Sequence, residues 1–195
     1  MTPPTDLAGI AAALGEDAGR VSCPHMAMVL DSPQELHPAL AAFYSLGASR
    51  NGWMLHRSLP GQGAADRAGL VAAGLDVDAL EAENRLALTE VPVTEPPETW
   101  AQPFLPLIED ALRDGYDAVW WSRFPVGAAG REFDVAIEYD RAWDEALHGR
   151  RAVSLCLYVV GQLGGDADAA AQRLAEIHDG VLRTGADGLT VSRSR

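Results

Sequence analysis

Six residues supply the groups from which this chain could build a binding site: His25, Arg57, Trp121, Ser122, Arg123 and Tyr158. His25 stands at the start of an apolar run, HMAMVL. There it is either a pocket hydrogen-bonder that changes charge near neutral pH, or a core-edge ring satisfied by a backbone carbonyl. Trp121 and Tyr158 carry large rings with one polar atom each. They either wall an apolar ligand pocket or fill the core. Arg57, Ser122 and Arg123 offer the few polar groups that a pocket for a small organic molecule needs. The two arginines have an alternative in Glu138 or Asp140, where a surface ion pair contributes under about 1 kcal/mol.

Other chemistries find less support. Cys156 lies in the apolar run AVSLCLYVV, and a buried thiol lacks the exposure and positive surroundings that make a nucleophile. Cys23 and Cys156 are too far apart in sequence to suggest a disulfide or metal framework. His37, His56, His148 and His178 share no metal-ligand spacing, so no metal site is expected. All fifteen basic residues are arginine. Without lysine there is no Schiff-base chemistry and no phosphate-loop lysine. After the first apolar run the chain reads Asp31-Ser32-Pro33-Gln34-Glu35, wrong in charge and in backbone donors for a phosphate. The glycines of GQGAADRAG come without a lysine. No cofactor and no catalytic residue is assigned.

Hydrophobic periodicity places these residues on alternating strands and helices. Strands are expected at 25–30, 53–59, 85–89, 118–123 and 152–160, with a last strand or tail at 188–192. Helices are expected at 5–14, from Asp31 or Ser32 to about Leu46, at 64–73, in a short piece after Asp76 or Asp78, and at 99–114, 131–148 and 166–183. Pro33 suits a first helical turn. Gly74 and Gly115 read as helix stops. VPVTEPPETWAQP and FPVGAAG read as loops. Trp120 and Trp121 must face opposite layers of a strand. Cys156 and Tyr158 share one face of theirs, Leu155 and Leu157 the other. The acids Glu132, Asp134, Glu138, Asp140, Asp144 and Glu145 read as a solvated helix face, with a docking surface for a basic partner as the lesser alternative. Such an order makes an α/β three-layer sandwich with a mainly parallel central sheet. Its ligands are expected beyond the carboxyl ends of the strands.

The 195 residues suit one domain, divided as an extension or short helix over 1–20 and an α/β body over 21–195. A net charge of −13 disfavours a nucleic-acid backbone or an anionic membrane as partner. No apolar run approaches the roughly 20 residues of a membrane span. The first residues lack a secretory pattern, so a cytoplasmic location is expected.

Five stretches in order resemble a known family. They are PHMAMVLDSPQEL, LGASRNGWMLHR, AGLDVDALEAENRLALTE, LRDGYDAVWW and IEYDRAWDEALHGRRAVSLCLY. Together they are similar to the MEDS domain, the sensory domain named after methanogens, methylotrophs and dichloromethane-responsive regulators. The resemblance runs over about residues 21–184. It implies a RecA-like core related to the circadian-clock ATPases, without a phosphate-binding loop. It also implies a module that senses small organic molecules or reports to an output domain. There are departures. Ala27 stands where the family has cysteine, and Val29 and Leu30 where it has an aromatic pair. Trp120 and Phe124 replace an arginine and a glutamate, and the turn reads Asn51-Gly52 without the glutamate that often follows it.

The chain therefore reads as a non-catalytic sensory or regulatory domain, for a small organic ligand or a signalling protein partner. Two alternatives stay open. One is an enzyme with a divergent site at the strand ends using His25 and Arg123. The other is a homo-oligomeric interaction protein.

Overall fold

The computed structural model describes residues 7–16, 18–19, 23–90, 96–123, 133–163, 167–185 and 189–193. Among them are seven strands in one sheet: β1 (His25–Leu30), β2 (Gly52–Ser58), β3 (Leu86–Glu90), β4 (Ala118–Arg123), β5 (Ala152–Val159), β6 (Gly180–Arg183) and β7 (Thr190–Arg193). Their order is β3-β2-β4-β5-β1-β6-β7. Every pairing is parallel except β6 with β7. Strands buried on both faces read as unbroken apolar runs. That is the case for β1 and β5, whose residues are all buried.

Helices α1 (Leu7–Leu14), α2 (Leu36–Ser49), α3 (Gly63–Ala72) and α4 (Val77–Ala82) cover one face. There Met28, Leu30, Met54, Trp120, Leu155 and Leu157 meet Ile10, Leu40, Phe43, Leu70 and Leu80. Within 1–20, Ile10, Ala13 and Leu14 of α1 and Ala18 belong to this packed layer. Helices α5 (Pro97–Trp100), α6 (Leu105–Arg113), α7 (Phe133–Leu147) and α8 (Ala167–Leu174) cover the other face. As their adjacency in β4 requires, Trp120 and Trp121 enter opposite layers.

Local signals account for most boundaries. Pro33 opens a 3-10 turn, Pro33–Glu35, that leads into α2. The Asp76 carboxylate accepts the Ala79 N–H at 3.2 Å and caps α4. Gly74 and Gly115 follow α3 and α6 with φ of 93° and 96°, a conformation open to glycine. Two expectations change. The 99–114 helix is broken into α5, a 3-10 turn Gln102–Phe104 and α6, because Pro97, Pro103 and Pro106 each start a new turn. The 166–183 helix ends at Leu174; a turn over 175–179 follows it, and Gly180–Arg183 is β6. FPVGAAG, Phe124 and Glu132 lie outside the described residues, as does the side chain of Arg123.

Candidate functional site

The amino ends of β1 and β5 lie side by side, with His25 in register with Ser154. His25 Nδ1 is 3.1 Å from Asp144 Oδ1 on α7, and Nε2 is 3.3 Å from Cys156 Sγ. The Cys156 thiol reaches Asp140 Oδ1 at 3.5 Å, and the Tyr158 hydroxyl donates to Asp140 Oδ2. His178, in the turn before β6, stacks its ring 4.2 Å from that of His25. Its Nε2 is 3.6 Å from Asp140 Oδ2, and its Nδ1 donates to the Leu174 carbonyl at 2.9 Å. Asp140 is fully buried, and burial holds its carboxyl well above the usual carboxylate range, against the opposing hydrogen bond from Cys156. A neutral Asp140 donates as well as accepts.

His25 also forms the wall of a cavity of about 450 Å³. Asp144, His148, Arg150, Arg151 and Asp179 line it as well. The lining is polar and carries both signs of charge. A chain of hydrogen bonds therefore runs from this cavity through His25 into the core.

A second polar chain lies on the opposite face, near the carboxyl ends of β2 and β4. Ser122 Oγ contacts the Tyr44 hydroxyl and stands 3.2 Å from His56 Nδ1. His56 Nε2 donates to Asp66 Oδ2 at 3.3 Å, and His37 Nε2 to Asp66 Oδ1 at 3.1 Å. Burial pushes Asp66 up, but the hydrogen bonds from His37, His56 and Ser58 outweigh it and hold the carboxyl below its ordinary value. Burial also pushes the Tyr44 hydroxyl far up, so Tyr44 stays protonated. The residue types are those of a serine hydrolase triad. Here Ser122 and His56 are enclosed on all sides, and no acyl group reaches the hydroxyl in this arrangement.

The sequence model of one family, MEDS (methanogen/methylotroph, DcmR sensory domain), matches residues 24–179. The chain belongs to the MEDS family. None of the curated proteins compared with it matches. Among solved structures, the KaiC-like protein PH0186 of Pyrococcus horikoshii OT3 superposes with a TM-score of 0.60 at 12% identity, over 88% of this chain and 79% of that one. A second protein of that archaeon, PH0250, gives 0.60 at 10% identity over 88% and 86%. Uncharacterized protein PH0321 of Pyrococcus horikoshii, solved with an unknown peptide, gives 0.59 at 14% identity over 94% and 88%. These likenesses show the fold alone, which is RecA-like.

In this MEDS domain the place of a phosphate loop is taken by the chain itself. Glu35 Oε2 accepts the N–H groups of Asp31 and Ser32 and the Thr184 hydroxyl, at 2.9, 3.3 and 2.8 Å. The donors that would cradle a phosphate after β1 already face a carboxylate.

The six residues singled out from the sequence do not converge. His25 lies at the amino end of the sheet, by the cavity, and not beyond the carboxyl ends. Tyr158 shares its chain through Asp140. Trp121 is fully buried against Trp143, with ring centroids 3.9 Å apart. The Arg57 guanidinium lies over Phe104 at 3.7 Å and Trp100 at 4.3 Å, inside the aromatic layer. Ser122 is on the other face. Arg123 ends β4 in register with Arg57 and Cys156. The acidic helix face needs one correction: Asp140 points into the core, because α7 turns Ile137, Asp140 and Leu147 inward together. Asp140, Cys156 and His178 are the residues that sequence reasoning missed. The signal was the period of α7, which sets Asp140 on the side of Ala136 and Trp143.

Proposed function

We propose that this domain senses a small polar organic molecule in the cavity beside His25, without transforming it. Membership of a sensory-domain family supports the class of function. The observation that carries the finer reading is the bond from His25 to Cys156, by which a ring on the cavity wall is tied to a buried polar chain. A ligand that engages His25 Nδ1 competes with Asp144. That competition changes the bonds that tie the His25 ring to Cys156 and, through it, to Asp140 on α7. The cavity volume suits a small metabolite. Arg150 and Arg151 favour a carboxylate or another anionic group on it.

Native mass spectrometry on freshly purified protein tests this, followed by thermal-shift titration with small carboxylic acids, amides and halogenated hydrocarbons. A retained small mass released on denaturation is expected. Rebinding should be weakened about tenfold or more by Arg151→Gln, as for loss of one charge-assisted hydrogen bond. A bare monomer with no thermal shift would overturn the reading. A bare dimer would move the function to a homodimer or a signalling protein partner. That alternative has its counterpart in β7, an edge strand exposed along its length with Val191 at the surface.

A further inference from the structure

We propose that His25, Cys156 and His178 form a buried three-donor binding site for a divalent transition metal of the zinc class, its fourth position open to a water or a ligand. The ligand atoms of the three lie within 4.8 Å of one another, and all three residues are buried. Donors bound to zinc at about 2.0–2.3 Å stand roughly 3.3–3.8 Å apart at the corners of a tetrahedron. The separation of His25 Nε2 from Cys156 Sγ, 3.3 Å, has that length, and a ring nitrogen of His178 lies within 4.8 Å of both.

The tautomers point the same way. Leu174 O is a carbonyl and can only accept, so His178 carries its proton on Nδ1. The Asp144 carboxylate fixes the His25 proton on Nδ1 in the same manner. Both rings are left with an Nε2 lone pair aimed into the cluster. An imidazole whose far nitrogen donates to a carboxylate or a backbone carbonyl is the usual metal-bound histidine. Asp140, held by the Tyr158 hydroxyl, stands 3.5 Å from the Cys156 thiol as its outer partner. Two imidazoles and a thiolate suit zinc, cobalt or copper and not magnesium or calcium.

The site does not rest on the organic-ligand reading, although His25 belongs to both. Its ligands come from β1, β5 and the turn before β6, so no local spacing in the sequence announces them.

The test is titration of the full chain, reduced and stripped with a chelator, with Co²⁺ followed by Zn²⁺. One Co²⁺ per chain is expected, with visible bands of tetrahedral cobalt and a thiolate-to-metal charge-transfer band that Zn²⁺ bleaches. Cys156→Ala should abolish the charge-transfer band, and Cys23→Ser should leave it unchanged. Asp144→Asn alters a half-exposed side chain, so it serves if Cys156→Ala fails to fold. It should weaken binding about 10- to 100-fold through His25. Folded wild-type protein without the band would overturn the proposal. So would a band lost in Cys23→Ser and kept in Cys156→Ala, or unchanged affinity in Asp144→Asn. A bare native mass with no organic ligand would defeat the sensing proposal and leave this titration untouched.

Discussion

The Glu35 carboxylate accepts the Asp31 N–H at 2.9 Å, at the carboxyl end of the first strand. In a nucleotide hydrolase on this fold, backbone N–H groups at that point would face a phosphate. Here they face a side chain of their own turn, and a phosphate would meet its negative charge. The expected outcome is no heat of binding with Mg-ATP by calorimetry, and phosphate release at the buffer rate. ATP turnover that persists through repurification and is lost on Glu35→Ala would refute it.

Asp66 predicts an acid limit to stability. Burial raises its pKa, but hydrogen bonds from His37 and His56 bring the folded value below the ordinary 3.8. A carboxyl depressed in the folded state contributes stability that is complete above about 3.8 and is lost as pH falls from there through the folded value. The melting temperature should therefore drop below about pH 4. Asp66→Asn should flatten that part of the drop. At neutral pH the same change should cost about 1–3 kcal/mol by leaving His56 unsatisfied. An equal acid slope in both proteins would show that other carboxylates set it.

The core strands were legible in the sequence because unbroken apolar runs such as HMAMVL and AVSLCLYVV admit few other readings. Five MEDS-like stretches in order then placed the fold. β6 was not legible. AQRLAEIHDGVLR keeps a helical pattern past the point where the chain turns, and it is pairing with β1 and β7 that recruits Gly180–Arg183 into the sheet. Gly180 permits that approach: a Cβ there would stand 2.8 Å from Met26 Cε and 3.0 Å from Ser192 O. The site was legible at His25 and Tyr158 and not at Cys156, His178 and Asp140, which join them from three distant elements. Strand order decides which of them meet, and one sequence does not carry strand order.

Gly52 and Trp120 interlock, and this gives a packing prediction. A Cβ on Gly52 would lie 2.2 Å from Trp120 Cδ1 and 2.8 Å from the Gly47 carbonyl oxygen. Trp120 is fully buried and has no room to retreat. Gly52→Ala should cost about 1–3 kcal/mol by overpacking. In a chain of this length that is roughly 2–4 °C of melting temperature per kcal/mol. Gly161→Ala is the control, since a Cβ there meets nothing within 4 Å, and it should stay within about 0.5 kcal/mol of wild type. Equal melting temperatures for the two variants would contradict the interlock.

Arg57 separates a stacked cation from a ligand-binding one. It is 4% exposed, and its guanidinium carbon lies 3.7, 4.3 and 5.4 Å from the rings of Phe104, Trp100 and Trp121. A flat, weakly hydrated guanidinium fits between such rings, whereas a compact ammonium keeps its demand for water. Arg57→Lys preserves the charge and loses the stacking, at a cost of about 1–2 kcal/mol. The guanidinium chloride midpoint should fall with an unchanged slope. Because Trp100 and Trp121 flank the group, the native tryptophan emission should change at the same time. If the organic ligand of the His25 cavity is found, its affinity should be the same in Arg57→Lys, since the two groups lie at different ends of the sheet. An intact midpoint with a weakened ligand would return Arg57 to the binding site.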